Sequence, residues 1–98
     1  NFGMKAGLNM EDVIEVISKG AAQSWQMDNR YKTMIDDKFD FGFAVDLMIK
    51  DLRIALKQAN FNNLNLTTSK AVLKNYQKLS SHDYGNLDTS SLIKLFNF

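Results

Sequence analysis

Cysteine and proline are both absent from the 98 residues. Without cysteine there is no disulfide framework and no thiolate chemistry, which is compatible with a reducing cytosol. Without proline, and with few β-branched alternations, the chain favours helices throughout. Histidine occurs once, at His82, which excludes a multi-histidine metal site. Neither sign of charge dominates. Twelve basic residues face eleven acidic ones and are scattered rather than gathered, so no charge field points to nucleic acid or to an anionic membrane. No apolar run approaches the length of a transmembrane span. There is no glycine-rich phosphate loop, no GxSxG and no HExxH.

What is present is an ordinary globular composition, with 45% apolar and 23% charged residues. The length leaves room for one domain, residues 1–98, with a modest core. Residues 1–6 read as the end of a helix that Gly7 closes in a left-handed conformation. Asn9 then caps a helix with Glu11 and Asp12 in its first turn, Leu8 and Val13 at staple positions, and Met10, Val13, Ile14 and Ile17 as its buried stripe. Gly20 ends it. A helix is predicted from about Gln23 to Asp36, carrying Trp25, Met27, Tyr31, Met34 and Ile35. Asp37 to Gly42 is a loop holding Phe39 and Phe41. A long helix is predicted from about Phe43 to Ala59 and stops at Asn60-Phe61-Asn62-Asn63. Thr67 or Thr68 caps another, with Val72, Leu73, Tyr76 and Leu79 inward. Ser80 to Asn86 is a turn-rich loop, and Asp88 caps a last short helix with Leu92, Ile93 and Phe96. The expected architecture is an all-α bundle of about five helices.

The long helix carries the suspicious chemistry. Helical spacing puts Asp46, Lys50, Arg53 and Lys57 on one stripe, with Asp46 placed to pair with Lys50. That makes Lys50 the ordinary member of a solvated face. Asp51 falls instead on the stripe Leu47, Asp51, Ile54, Gln58, where it interrupts apolar neighbours. A carboxylate there either pairs locally, with Lys50 or nearby backbone, or lines a polar cleft. Trp25 and Phe43, taken singly, are more often core than pocket lining. Asn29 and Arg30 follow Trp25 by one turn and could hold a loop or a partner. His82 sits in a loop beside Ser80, Ser81, Asp83 and Gly85. The residues by themselves leave open an independent helical module that binds a protein partner and uses no cofactor.

One ordered set of residues adds more. Ser24-Trp25, Asn29-Arg30, Met34, Phe39, Gly42-Phe43, Asp46-Leu47, Lys50-Asp51-Leu52 and Ala55, with Ala6-Gly7-Leu8 before and Asp88-Thr89-Ser90 after, resembles the C-terminal domain of the β-hydroxyacid dehydrogenases. That family includes 3-hydroxyisobutyrate dehydrogenase, tartronate semialdehyde reductase and the glyoxylate/succinic semialdehyde reductases. The resemblance implies the all-α fold of the 6-phosphogluconate dehydrogenase C-terminal-domain type. It implies an N-terminal Rossmann domain binding NAD or NADP, with residues 1–6 as the end of the helix joining the two domains. The family's catalytic lysine belongs to a GxxGxxxK motif at the start of that helix, and no such motif occurs in this sequence. Lys50 is implied to face the nicotinamide end of the cofactor. Asp51 is implied to lie at the edge of the active site and to help hold the catalytic residues. Phe43, and less uniformly in the family Trp25, are implied to border the substrate. The substrate would be a small 3-hydroxy acid or its semialdehyde, the protein a cytoplasmic homo-oligomer, and this chain without its partner domain inactive. Asn63-Leu64-Asn65-Leu66 and Arg53 depart from the family pattern.

Overall fold

The structure, a computed structural model, describes residues 1–97. It is all-α, as expected. The chain divides into two compact units, one of Asn1–Lys38 and one beginning at Phe39.

The first unit holds α1 (Phe2–Lys5), α2 (Met10–Ile17) and α3 (Trp25–Ile35). Asn9 caps α2 as read from the sequence: its side chain accepts from the N–H groups of Glu11 at 2.9 Å and Asp12 at 3.4 Å. The third helix begins two residues later than predicted, because Ser24 caps it by accepting from Met27 N–H at 3.1 Å. The Lys32 ammonium on α3 lies 3.6 Å from Glu11 on α2. The predicted buried stripe of α2 is only partly realised. Met10, Val13 and Ile14 are half-buried and Ile17 is exposed, and no residue of these three helices is buried.

The second unit is built on α4 (Val45–Phe61) and α5 (Thr67–Leu79). Val45 and Ile49 of α4 pack with Tyr76 and Leu79 of α5, and Met48, Leu52, Val72, Leu73, Tyr84, Leu92 and Leu95 close around them. These are the i, i+3, i+4 positions that an amphipathic helix turns inward. The inward residues predicted for α5 are therefore in place. Its N-terminus differs. Thr67 is already the first helical residue and Leu66 stands at the cap with no side-chain bond. Beyond α5 the chain makes a π-type turn over Ser80–Tyr84, broken by Asp83 at φ 65°, and then a 3-10 helix over Thr89–Asn97. One isolated antiparallel bridge joins Ala44 to Asp88.

Three helix ends share one device. After α1, α3 and α4, a residue with positive φ (Gly7 at 74°, Asp37 at 54°, Asn63 at 57°) lets the next N–H reach back to the helix. Leu8 donates to Gly3 O at 3.0 Å, Lys38 to Thr33 O at 2.8 Å and Leu64 to Ala59 O at 2.8 Å. This is the Schellman closure, made twice without glycine. Gly85 is a glycine for another reason. Its φ is an ordinary −60°, but a Cβ there would collide with the carboxylate of Asp46.

Phe39, Phe41, Phe61, Phe96 and Phe98 are more phenylalanines than a core this small is expected to hide. Phe39 departs from that expectation: it is buried, 2% exposed, with the Lys94 ammonium 5.2 Å from its ring centre. Phe41, Phe61 and Phe96 are exposed. Phe98 lies outside the described residues.

Candidate functional site

The inward face of α4 is occupied by Val45, Ile49 and Ala59, with Met48 and Leu52 half-buried beside them. On the outward side Leu47, Asp51, Ile54 and Gln58 follow one another at helical spacing, and all four are exposed. Ile54 is 61% exposed, a large apolar group left in water at the middle of a helix about 25 Å long. Phe43, just before the helix and four residues ahead of Leu47, is 40% exposed. Phe61, at the far end, is exposed as well. An outward row of four large apolar side chains around one carboxylate is what a helix shows when that face works against something else.

Lys50 and Asp51 sit at the centre of this face. The Lys50 ammonium lies 3.2 Å from Asp51 Oδ1, with the two side chains 61% and 52% exposed. The local pairing foreseen for Asp51 is the one observed. The pairing foreseen for Lys50 is not. Asp46 turns away and its Oδ1 accepts from Ser80 Oγ at 2.7 Å. Lys50 is therefore joined to the apolar stripe through Asp51 instead of to the charged stripe through Asp46. Arg53 lies elsewhere, lining a hollow of about 420 Å³ with Asp46, Ile49, Gln77, Ser80 and Ser81 that includes none of Phe43, Lys50 and Asp51.

Trp25 belongs to the first unit. It opens α3 and is 59% exposed, so it is not a core residue of that unit. Its neighbours one turn on hold it. Asn29 Nδ2 donates to Trp25 O at 2.9 Å, and the Arg30 guanidinium lies 4.7 Å from the indole centre. The sequence offered Asn29 and Arg30 as a grip on a loop or a partner; in the structure Arg30 lies over the exposed indole and Asn29 bonds the Trp25 backbone carbonyl. Of the four residues singled out from the sequence, Phe43, Lys50 and Asp51 share one stretch of one unit and Trp25 lies in the other.

A feature that sequence reading undervalued is Asp88. It is 1% exposed. One carboxylate oxygen accepts from Phe43 N–H at 3.0 Å, and the other from Ser90 N–H at 3.1 Å and Ser90 Oγ at 2.5 Å. Its role as a cap was legible from the Asp-x-Ser spacing. Its hold on Phe43, 45 residues earlier, was not. Beside it Tyr76 donates to Thr89 O at 3.3 Å, and burial pushes the Tyr76 phenol above its ordinary range.

Known proteins that this chain resembles are oxidoreductases. An uncharacterized oxidoreductase of Shewanella frigidimarina is 52% identical over 93 residues, covering 95% of this chain and 32% of that protein. The L-threonate dehydrogenase of Escherichia coli is 28% identical over 93 residues, covering 95% of this chain and 31% of its own. A crystal structure of 3-hydroxyisobutyrate dehydrogenase from Salmonella typhimurium superposes with a TM-score of 0.85 at 27% identity, over 97% of this chain and 33% of that one. The family described as NAD-binding of NADP-dependent 3-hydroxyisobutyrate dehydrogenase matches residues 1–96, and this chain belongs to it. The chain spans about a third of the length of the curated relatives it matches. An independent interaction module is not favoured, because the match takes in both units. No helix among the described residues is long and apolar enough to cross a membrane.

Proposed function

We propose that this chain is the helical C-terminal domain of a cytosolic NAD(P)-dependent dehydrogenase of small 3-hydroxy acids, working with an N-terminal Rossmann domain and lending it one wall of the reaction cleft. The observation that carries the reading is the outward face of α4, where a cation and a carboxylate stand between Leu47 and Ile54. That donor set fits a nicotinamide, a flat and weakly polar ring whose charge changes during the reaction. When bound, the nicotinamide exchanges a hydride with the carbon that bears the substrate hydroxyl.

The residues of this chain serve that exchange from one side. Lys50 brings a fixed positive charge to the ring's edge, where it acts on charge that develops in the transition state. Asp51 holds the Lys50 ammonium at 3.2 Å and so limits where that charge can sit. Phe43 borders the apolar part of the substrate and excludes water. The proton of the substrate hydroxyl goes to the family's catalytic lysine, which lies outside this sequence. The apolar surface left on α2 and α3, together with Phe41, Phe61 and Phe96, supports contacts with the partner domain and with further copies, as a homo-oligomer.

The test is to produce the protein from its complete reading frame and measure NAD- and NADP-dependent oxidation of L-threonate, 3-hydroxyisobutyrate and glycerate-type acids, and reduction of the matching semialdehydes. Turnover of one of these pairs is expected from the complete protein and none from the 98-residue chain. A complete, folded protein that is inert towards the whole panel with both cofactors would refute the reading.

A further inference from the structure

We propose that Asp88 is a positioning residue for the substrate side of the cleft, acting through the backbone of Phe43; this rests on the dehydrogenase reading above. The argument starts from how α4 begins. Its N-cap residue, Ala44, offers no side-chain acceptor, so the first N–H groups of the helix need partners from elsewhere. They find them in one short segment. Val45 N–H donates to Leu87 O at 2.8 Å and Asp46 N–H to Gly85 O at 2.9 Å. Thr89 N–H returns a bond to Phe43 O at 2.9 Å, and Asp88 N–H to Phe39 O at 2.9 Å. The segment from Gly85 to Ser90 thus serves as the cap of α4, supplied from the far end of the chain.

Asp88 is the centre of that cap. Its side chain is buried, and its two oxygens are shared between the strand-like stretch ahead of α4 and the start of the 3-10 helix. A buried carboxylate with charge-assisted bonds on both oxygens is stiff in a way that a neutral acceptor is not. Phe43 takes one of those bonds on its own N–H, directly at the residue whose ring borders the substrate in the functional reading. Tilting that peptide moves the Phe43 ring first, whereas Lys50 and Asp51 lie one to two turns inside a helix held also by the core. The effect of Asp88 therefore falls on handling of the hydroxy acid and spares the cofactor.

The substitution that isolates the charge is Asp88→Asn, which keeps the shape and puts a donor where one of two oxygens now accepts. Two measurements are made on the complete protein. Amide hydrogen exchange at Phe43 and Ser90 should speed up by about tenfold or more, the scale of losing a charged hydrogen bond. In steady-state kinetics the KM for the hydroxy acid should rise about tenfold, with the KM for the nicotinamide cofactor within twofold of wild type. In a Phe43→Ala background the same Asp88→Asn change should leave hydroxy-acid kcat/KM within about twofold, because the group it works through is gone.

A purely structural Asp88 would behave differently. It would lower kcat per total enzyme with both KM values unchanged, and by the same factor with and without Phe43; that outcome overturns the proposal. Unaltered exchange at Phe43 overturns it too. Exchange is read without any turnover, so a protein inert towards hydroxy acids refutes the dehydrogenase reading alone, while the exchange result still decides whether Asp88 holds Phe43.

Discussion

Lys50→Ala separates the two things a charged residue on a helix can do. In the structure its ammonium pairs with Asp51 at 3.2 Å while both side chains remain more than half exposed. Water screens such a pair, and exposed ion pairs contribute roughly 0.2–1 kcal/mol. Alanine is also a better helix former than lysine, by a few tenths of a kcal/mol. The net change in folding stability should therefore be under about 1 kcal/mol, a shift of at most a few degrees in the thermal midpoint for a domain of this size. Catalysis should respond on another scale. Removing one preorganised charge-stabilising group from a dehydrated site costs about 100-fold in turnover, or ~2.7 kcal/mol of transition-state stabilisation. Asp51→Ala should cost equally little stability, since both its stripe neighbours also face outward, and should lower turnover by a smaller factor of about ten by releasing the ammonium. The assay is initial-rate kinetics of the complete protein, followed by absorbance of the reduced nicotinamide, beside thermal unfolding of each variant. Lys50→Ala with turnover within twofold of wild type would show that Lys50 is only a solvated residue. A midpoint lowered by ten degrees or more would show that the pair is structural after all.

Other expectations concern the second unit. Leu79 is fully buried against Val45, Ile49 and Tyr76, so Leu79→Ala should destabilise by about 3 kcal/mol in denaturant unfolding; a loss under 1 kcal/mol would mean that this cluster is not the core. Ser91 is buried and its hydroxyl finds no partner among the described residues, so Ser91→Ala should leave stability unchanged or raise it by up to about 1 kcal/mol, and a clear loss would reveal a bond to that oxygen. Burial raises the Tyr76 phenol above its ordinary pKa of about 10. The folded state thus favours the neutral phenol. Its contribution is complete below the ordinary value and is lost as pH rises through the higher folded one, so unfolding should become easier in alkali and Tyr76→Phe should weaken that alkaline decline, as read by unfolding midpoints across the alkaline range.

Local chemistry was legible in the sequence and remote chemistry was not. Asn9 could be read as a cap because the N–H groups it serves lie within three residues, and Gly7 as a helix end because glycine advertises positive φ. Thr67 was misplaced by one position because hydroxyl residues at 67 and 68 suggest a cap that Leu66 makes without a side chain. The Asp46–Lys50 pair failed for a different reason. Helical spacing allows it, but Ser80, 34 residues away, takes the carboxylate first. Phe39 is buried by a segment near the opposite end of the chain. At the candidate site, Lys50 and Asp51 were conspicuous as charges in an apolar run. The exposure of Leu47 and Ile54 was not, since a leucine and an isoleucine at helical spacing read as core until the packed face of the helix is known.

The close approach of Gly85 to Asp46 makes two distant positions behave as one locus. Randomising position 85 alone should favour glycine, because any other residue there makes the Asp46 carboxylate shift from the place where Ser80 holds it. Randomising 46 and 85 together should open a second class of survivors in which alanine, serine or glycine at 46 makes room for a side chain at 85. Positions 46 and 85 would then change more readily as a pair than singly, and an attempt to recast the specificity of the neighbouring Phe43 by directed evolution would gain from a parent in which that pair has been changed beforehand.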